Sequence, residues 1–271
     1  MTDHYAVIGN PISHSKSPLI HTEFAKQTGQ GLDYITREIP LGGLTEGLKK
    51  LQSEGFKGIN ITVPFKEQAW QIVTDKSEHA TRAGAINTII FNDDGSLYGD
   101  NTDGIGLCRD LVDNHLIELK GKRLLLLGAG GAARGVIEPL LSYQPAELVI
   151  ANRTASKAEG LAQLYNDFGN ISGGGFNDLS GSFDVIVNAT AASLQGEVPP
   201  LADNILNAGA SCYDMMYSDT DTAFITWAKQ HGAAKAIDGL GMLVEQAAEA
   251  FRIWRGVKPE TDAVMSLIRS K

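Results

Sequence analysis

The stretch that most constrains the fold of this chain is KRLLLLGAGGAA, residues 122–133. Four consecutive leucines, Leu124 to Leu127, leave a strand no polar face, so it must be buried on both sides, as in a parallel sheet covered by helices. The glycine-rich turn that follows opens a helical stretch, AARGVIEPLLSY (132–143), and a second apolar strand, ELVIAN (147–152), comes after it. A strand, a G-x-G-x-x-A turn, a helix and a strand form the setting in which such a turn binds a dinucleotide. Gly128 permits the tight turn, Gly130 lets the backbone approach a pyrophosphate, and Ala133 allows close packing of helix on sheet. A glycine-rich turn in some other α/β domain is the competing explanation. A helix from about 156 to 168 and the strands FDVIVNAT (183–190) and ASCYDMM (210–216) extend the pattern to a doubly wound sheet, with the GGG triplet at 173–175 marking a loop.

The end of the second strand distinguishes the two nicotinamide dinucleotides. An NAD site wants an acid there for the ribose 2′-hydroxyl. Here the strand ends in Asn152, Arg153 and Thr154, with Lys157 one turn on and no carboxylate before Glu159. Arginine can stack on adenine and hold a 2′-phosphate, threonine and lysine add donors, and an acid would repel that dianion. The alternative for Arg153 is a solvated surface side chain. The cofactor expected is NADP(H).

Ahead of this region, short apolar runs alternate with amphipathic ones. Strands are expected at 5–9, 33–39, 56–63 and 86–91, and helices at 17–29, 44–55, about 64–73 and about 77–83; the turn NDDGS returns the chain through LYGDN (97–101) as a hairpin. That alternation predicts a mostly parallel, covered α/β sheet. Ser17 is the expected N-cap of the first helix, with Pro18 at its first position. In NITVPFK (60–66), Asn60 and Thr62 alternate with apolar residues and share a face, and Pro64 suits the first turn of a helix. Lys66 then falls at the positive end of a helix dipole, where a cation is disfavoured. A lysine that donates or accepts a proton can use that position; a structural one gains nothing from it.

A helix from Gly104 to about Leu116 reads as a connector, and Leu240, Leu243, Val244, Ala247, Ala248, Phe251 and Trp254 form one stripe of a late helix expected to pack back on the first domain. Boundaries near 104 and 238 agree with the two domains that 271 residues suggest. A net charge of −9 disfavours nucleic acid and anionic membrane as partners, while a local cationic pocket for a small anion is still possible. Two cysteines, Cys108 and Cys212, read as reduced core thiols, and with no leader-like start and no apolar run of membrane-spanning length the expected location is cytoplasmic. The six histidines are scattered, none at a ligand spacing, so no metal is expected; His14 reads as a loop residue or a minor substrate contact.

Polar residues gather where strands of the first half meet loops: Ser15, Ser17, Asn60, Thr62, Lys66, Asn87 and Asp103. Each has a structural explanation: Ser17 and Asp103 as helix caps, Asn87 satisfying backbone at a strand start, Lys66 solvated. Strand ends of an open α/β sheet nonetheless converge on one crevice. SHSKSP (13–18), NITVPFK (60–66), GAINT (84–88), GDNTDG (99–104), GAGGAAR (128–134), NRT (152–154), NAT (188–190), YDMMY (213–217) and GLGMLVEQAA (239–248) resemble, in order and over nearly the whole chain, the signatures of the shikimate dehydrogenases. A departure from that pattern is Ala191 and Ala192 after NAT, where relatives often carry serine or proline.

The resemblance implies an N-terminal substrate-binding and catalytic domain (1–103), a doubly wound Rossmann NADP-binding domain (104–238) and C-terminal helices (239–271) returning to the first. It implies NADPH-dependent, reversible reduction of 3-dehydroshikimate to shikimate, in aromatic amino-acid biosynthesis, by a monomer or homodimer. By motif, Ser15 and Ser17 would bind the substrate carboxylate, Asn60, Asn87 and Asp103 the ring hydroxyls with Thr62 nearby, and Gln246 and Tyr217 would also face the substrate. Lys66, paired with Asp103, would be the catalytic group. The glycine turn (Gly128, Ala129, Gly130, Gly131, Ala132), with Asn152, Arg153, Thr154 and Lys157, would hold the cofactor, whose nicotinamide end would meet Thr190, Met215, Gly239 and Met242.

Opposite charges ~4 Å apart at an effective dielectric near 20 attract by about 4 kcal/mol, against at most ~1 kcal/mol for a surface helix dipole. Asp103 should therefore keep Lys66 a charged proton donor, which suits reduction, and the reverse oxidation should gain at alkaline pH. Three competing readings stand beside this one. A quinate/shikimate dehydrogenase working oxidatively would prefer NAD and an acid after the second strand. A binding paralogue without turnover would not need both Lys66 and Asp103. A folate- or tRNA-linked dehydrogenase of similar architecture would lack the SHSKSP and NITVPFK pair.

Overall fold

The computed structural model describes residues 2–270, which form two units: 2–106 with 243–270, and Leu107–Met242. The first unit opens with β1 (Asp3–Gly9), α1 (Ser17–Thr28), β2 (Leu32–Glu38), α2 (Leu44–Ser53), β3 (Phe56–Ile61) and α3 (Lys66–Ile72). It continues through β4 (Asp75–Lys76), α4 (Glu78–Ala83), β5 (Thr88–Phe91), β6 (Leu97–Asp100) and the first residues of α5 (Asp103–Arg109). Its sheet runs β2-β1-β3-β5-β6-β4, and β5 alone is reversed, because the NDDGS turn makes β5 and β6 a hairpin. That turn is held by the Asp94 carboxylate, which accepts from the Ser96 N–H at 2.9 Å.

β1 lies inside the sheet, between β2 and β3, and its successive side chains enter two cores. Ala6 and Ile8 join Ile59, Ile61 and Ile89 under Leu44, Leu48 and Leu51, which recur at helical spacing along α2. Tyr5 and Val7 point to the other face, against Tyr34 and Trp254.

The second unit contains β7 (Arg123–Leu127), α6 (Gly131–Ser142), β8 (Glu147–Ala151), α7 (Ala155–Leu164), β9 (Ile171–Gly174), β10 (Phe183–Asn188), β11 (Leu206–Asp214), α8 (Ala223–Gln230) and β12 (Lys235–Ile237). All six strands are parallel, in the order β12-β11-β10-β7-β8-β9. The direction of winding therefore reverses at β7, whose four leucines are fully buried between two apolar layers. α9 (Leu240–Arg255) and α10 (Asp262–Arg269) end the chain. From Leu243 onward α9 belongs to the first unit: the Trp254 indole donates to Ile89 O at 3.1 Å, and its approach is close enough that a Cβ on Gly58 would lie 2.5 Å from the indole nitrogen.

Several boundaries differ from the sequence expectation. The connector is α-helical only to Arg109; Asp110–Asn114 form one π turn, closed by the His115 N–H on Asp110 O at 3.0 Å. The GGG triplet is not simply a loop. Gly173 and Gly174 pair with Ile150 and Ala151 as the end of β9, because α7 lies directly on that strand and leaves no room for a side chain. A Cβ on Gly173 would sit 2.3 Å from Ala158 O and 2.8 Å from Glu159 N, both backbone atoms. Gly173→Ala is accordingly expected to cost about 1–3 kcal/mol, seen as a lower thermal midpoint. Gly160→Ala on α7, where a Cβ meets nothing within 4 Å, should stabilise by up to ~1 kcal/mol and serves as the control. Equal midpoints for the two variants would contradict the close contact.

Candidate active site

Lys66 is the first residue of α3, two residues after Pro64 and not in the same turn as it; Phe65 occupies the N-cap position, and β3 ends at Ile61. Pro64 thus ends the approach to the helix and does not begin it. The Lys66 carbonyl accepts from the Ile86 N–H at 3.0 Å, which ties the helix start to the entry of β5. Its ammonium donates to Asp103 Oδ2 at 2.5 Å, and the two side chains are only 14% and 6% exposed. Asp103 is the first residue of α5 and does not cap it: its own N–H is taken by Asn101 Oδ1 at 3.1 Å, leaving the carboxylate free for Lys66 and Asn87.

The Asn87 amide can be oriented from its partners. Thr102 N–H can only donate, and it reaches Asn87 Oδ1 at 2.8 Å. Asn87 Nδ2 must therefore face the other way, where it donates to Asp103 Oδ1 at 2.8 Å, with Thr102 Oγ1 and Gln246 Oε1 at 3.0 and 3.3 Å. Asn60 Nδ2 donates to Thr88 Oγ1 at 3.0 Å and to Asn87 O at 3.2 Å, and its Oδ1 accepts from the Tyr34 hydroxyl at 2.7 Å. Lys66, Asp103, Asn87, Asn60 and Gln246 are thus one buried network. Tyr34, Thr88, Thr102 and Asn101 complete it and were not singled out by the sequence, since each looks like an ordinary strand or turn residue. Thr88 and Thr102 do lie inside the GAINT and GDNTDG motifs, which was the available signal.

Ser17 is corrected from cap to first helical residue: Lys16 stands at the N-cap of α1 with no side-chain cap, and Ser15 Oγ accepts the Ser17 N–H at 3.3 Å. Removing the Ser17 hydroxyl does not remove a helix cap. Ser15 is half-buried and Ser17 is 5% exposed; the Ser17 N–H bonds to Ser15 Oγ, and among the described residues neither serine bonds to Lys66 or Asp103. Thr62, half-buried just past β3, packs its methyl where Gly9 has no side chain; a Cβ there would lie 2.6 Å away. Tyr217 belongs to the second unit, half-buried beyond the end of β11, and is not among the residues the first unit gathers.

In the second unit the glycine turn leaves β7 at the point where the sheet reverses, the usual place for a nucleotide crevice. Gly128 has φ +110°, and a Cβ there would press on Thr190 at 3.2 Å. Gly130, at the N-cap of α6, faces open space, with nothing within 4 Å of where a Cβ would be, while Ala133 is fully buried against the sheet. Ala129 is buried, and Gly131 and Ala132 begin the helix half-exposed, with its first N–H groups at the mouth of the turn. At the end of β8, Asn152 Nδ2 donates to Thr154 O at 3.0 Å. Arg153, Thr154 and Lys157 are exposed there, and neither cation is in an ion pair among the described residues. These residues fit a phosphorylated dinucleotide: a bare backbone for the pyrophosphate and two un-neutralised cations beyond it.

On the other side of the crevice Thr190 donates through Oγ1 to Asn188 Oδ1 at 2.7 Å, and Asn188 Nδ2 reaches Asp214 Oδ1 at 3.2 Å. Burial pushes the Asp214 carboxyl up, opposed by hydrogen bonds from Thr222, Ser193, Met216 and Asn188. Ser193, the residue after Ala191 and Ala192, accepts from Asn188 Nδ2 through Oγ at 3.1 Å. Gly239 packs on Met215, with a Cβ position 2.3 Å from Met215 O, and the Met242 N–H donates to the Tyr213 hydroxyl at 3.2 Å. That hydroxyl donates to the buried Asp110 at 2.6 Å.

Three family models match the chain: the shikimate dehydrogenase substrate binding domain over residues 7–89, shikimate / quinate 5-dehydrogenase over 110–195, and the shikimate 5′-dehydrogenase C-terminal domain over 239–269. A relative from Alkalilimnicola ehrlichii named shikimate dehydrogenase (NADP(+)) is 56% identical, over 99% of each chain. One of the same name from Hahella chejuensis is 55% identical, over 98% of each. Among solved structures, an Ael1 enzyme from Pseudomonas putida superposes with TM-score 0.91 at 46% identity, covering 98% of each chain. Shikimate 5-dehydrogenase from Thermus thermophilus, in complex with NADP(H) and shikimate, superposes with TM-score 0.87 at 31% identity, covering 99% of each. With identities of this size over essentially its full length, and its motifs gathered into a buried lysine–aspartate pair and a glycine-turn crevice, this chain belongs to the shikimate dehydrogenase family.

Proposed function

We propose that Lys66 is the proton donor and acceptor of this enzyme and Asp103 the partner that holds it. As a member of the family, the enzyme interconverts 3-dehydroshikimate and shikimate with NADP(H) as cofactor. When bound, NADPH would supply the hydride for the carbonyl carbon. Lys66 Nζ gives a proton to the developing alkoxide, so that one hydride and one proton convert the ketone to the alcohol. In oxidation the same nitrogen takes the proton back. The observation that carries the assignment is the 2.5 Å Lys66–Asp103 contact in a largely dry setting.

Asn87 holds Asp103 from the side opposite Lys66, and the proposal keeps Asn60, Gln246 and Thr62 at the substrate ring, Ser15 and Ser17 at its carboxylate, and Tyr217 as a further contact. The cofactor residues named above, from the glycine turn to Met242, are part of the same proposal, as is the division into a substrate domain, an NADP domain and returning C-terminal helices. A cytoplasmic location is also proposed, supported by two free, buried thiols, Cys108 and Cys212. No helix among the described residues is long and apolar enough to cross a membrane.

The test is one assay comparing NADPH and NADH oxidation with 3-dehydroshikimate and with 3-dehydroquinate. NADPH with 3-dehydroshikimate should be much the best pair, and a preference for NADH with dehydroquinate would overturn the reading. Arg153→Glu in the same assay should raise KM for NADPH by about 10–100-fold, the equivalent of about one charge-assisted hydrogen bond, and leave NADH nearly unaffected. An equal effect on both cofactors would remove Arg153 from the phosphate site.

A further inference from the structure

We propose that Tyr34, remote in sequence from every motif of the site, is a positioning residue for the reaction. It is the outer anchor of a one-directional hydrogen-bond chain that runs Tyr34–Asn60–Thr88–Asn87–Asp103 and ends on the partner of Lys66. The proposal rests on the assignment of Lys66 and Asp103 as the proton-transfer pair.

The direction of every link follows from the one donor that cannot reverse. Thr102 N–H fixes Asn87 Oδ1 as an acceptor at 2.8 Å. The Thr88 hydroxyl also lies 2.8 Å from that oxygen and must give its proton to it. Thr88 Oγ1 is then free only to accept, which it does from Asn60 Nδ2 at 3.0 Å; the Asn87 carbonyl, an obligate acceptor, takes the same group at 3.2 Å. Asn60 Oδ1 is left pointing away, and Tyr34 supplies its proton at 2.7 Å. A flipped Asn60 would set its oxygen against Asn87 O and its NH₂ against a hydroxyl, so the tyrosine closes the only consistent arrangement.

The register of the sheet explains the reach. Asn60 and Thr88 face each other across β3 and β5, whereas Tyr34 stands on β2 with β1 between, and only a side chain as long as tyrosine spans that strand. Its ring is held in place by His21 of α1, stacked on it at 4.1 Å with an angle of 7°, and His21 is itself walled by Phe24, Phe251 and Trp254. Asn60 is 6% exposed and Tyr34 4%, so solvent has little access to the position of the hydroxyl. Without it the Asn60 amide oxygen loses the donor that fixes its orientation, Asn60 loosens, and the Thr88 proton is no longer directed to Asn87 Oδ1, which leaves that oxygen to the Thr102 N–H and weakens the hold on the Asn87 NH₂ beside Asp103.

Tyr34→Phe keeps the stacked ring and removes only the hydroxyl. It should lower kcat with 3-dehydroshikimate about tenfold, while KM for NADPH stays within twofold. Thr88→Val, which cuts the chain one link nearer the dyad, should give a similar loss, and Thr88→Ser, which restores the hydroxyl, should recover the rate. In the double variant Tyr34→Phe/Thr88→Val the losses should not multiply, because both break one chain. If Tyr34→Phe keeps full kcat and only its melting midpoint falls, or if the two losses multiply, the proposal is wrong. Lys66→Ala belongs in the same series. Full activity there would overturn the dyad assignment itself, a result separable from failure of the Tyr34 chain, in which Lys66→Ala is nearly inactive and Tyr34→Phe is normal.

Discussion

Lys66→Ala is expected to lower kcat for ketone reduction by about 10²–10⁴-fold while KM for 3-dehydroshikimate changes little. The size follows from what is removed: the general acid, and the positive charge beside the developing oxyanion. The sequence placed this lysine against a helix dipole and weighed that against a carboxylate ~4 Å away, worth about 4 kcal/mol at an effective dielectric near 20. The structure brings the two groups into direct contact. The contact is 2.5 Å, and α3 is a helix of only 7 residues, so its dipole is short. The variant also leaves Asp103, at 6% side-chain exposure, without its cation, although Asn87 still donates to it. Removing one partner of a buried pair destabilises by up to ~3–5 kcal/mol. A melting curve must therefore accompany the kinetics, with kcat measured well below the variant's midpoint. A retained kcat with a raised KM would show that Lys66 binds substrate and does not transfer the proton.

The second large effect concerns stability in acid. His21 is fully buried on α1, neither ring nitrogen has a hydrogen-bond partner among the described residues, and burial pulls its imidazole from 6.5 down to about 3, opposed by the neighbouring side chain of Asn60. Between those two values the unfolded chain binds a proton that the folded chain refuses. The His21 contribution to stability is complete above pH 6.5 and is lost as pH falls toward 3, by about 1.4 kcal/mol for each pH unit. Across the whole window the loss approaches ~5 kcal/mol, a large part of the stability of an ordinary domain. His21→Phe keeps an aromatic ring on Tyr34 and removes the titration. Denaturant unfolding at pH 7, 5 and 4 should then show a shallower acid decline in the variant than in the wild type. Parallel curves for the two proteins would mean that His21 takes up its proton in the folded state.

The legible parts of this protein were those whose physics is local. The buried run before GAGGAA and the polar–apolar alternation of NITVPFK each state a strand and what must follow it. The absence of an acid after Asn152 depends on nothing distant. Boundaries were less legible because side-chain patterns do not show how the chain is held at its ends. Ser17 looks like a cap, but Lys16 takes that position. Pro64 looks like the start of a helix that begins at Lys66. The GGG triplet looks like a loop because glycine is common in loops, and only the backbone of α7 lying on β9 shows why side chains are absent there.

The sequence by itself determined the two α/β sheets, the glycine turn at the head of a helix and the identity of the residues that could do the chemistry, since each follows from spacing within a few residues. Only the tertiary structure decided how those residues act on one another. Lys66 and Asp103 are 37 positions apart, and Asn87 and Gln246 are 159 apart; their partnership depends on which strands are neighbours in the sheet and where α9 returns. The same holds for Tyr34, whose hydroxyl meets Asn60 only because β1 separates their two strands by the length of a tyrosine. Hydrogen bonds are short-ranged and directional, so the direction of each amide in the site is set by donors the chain brings from far away.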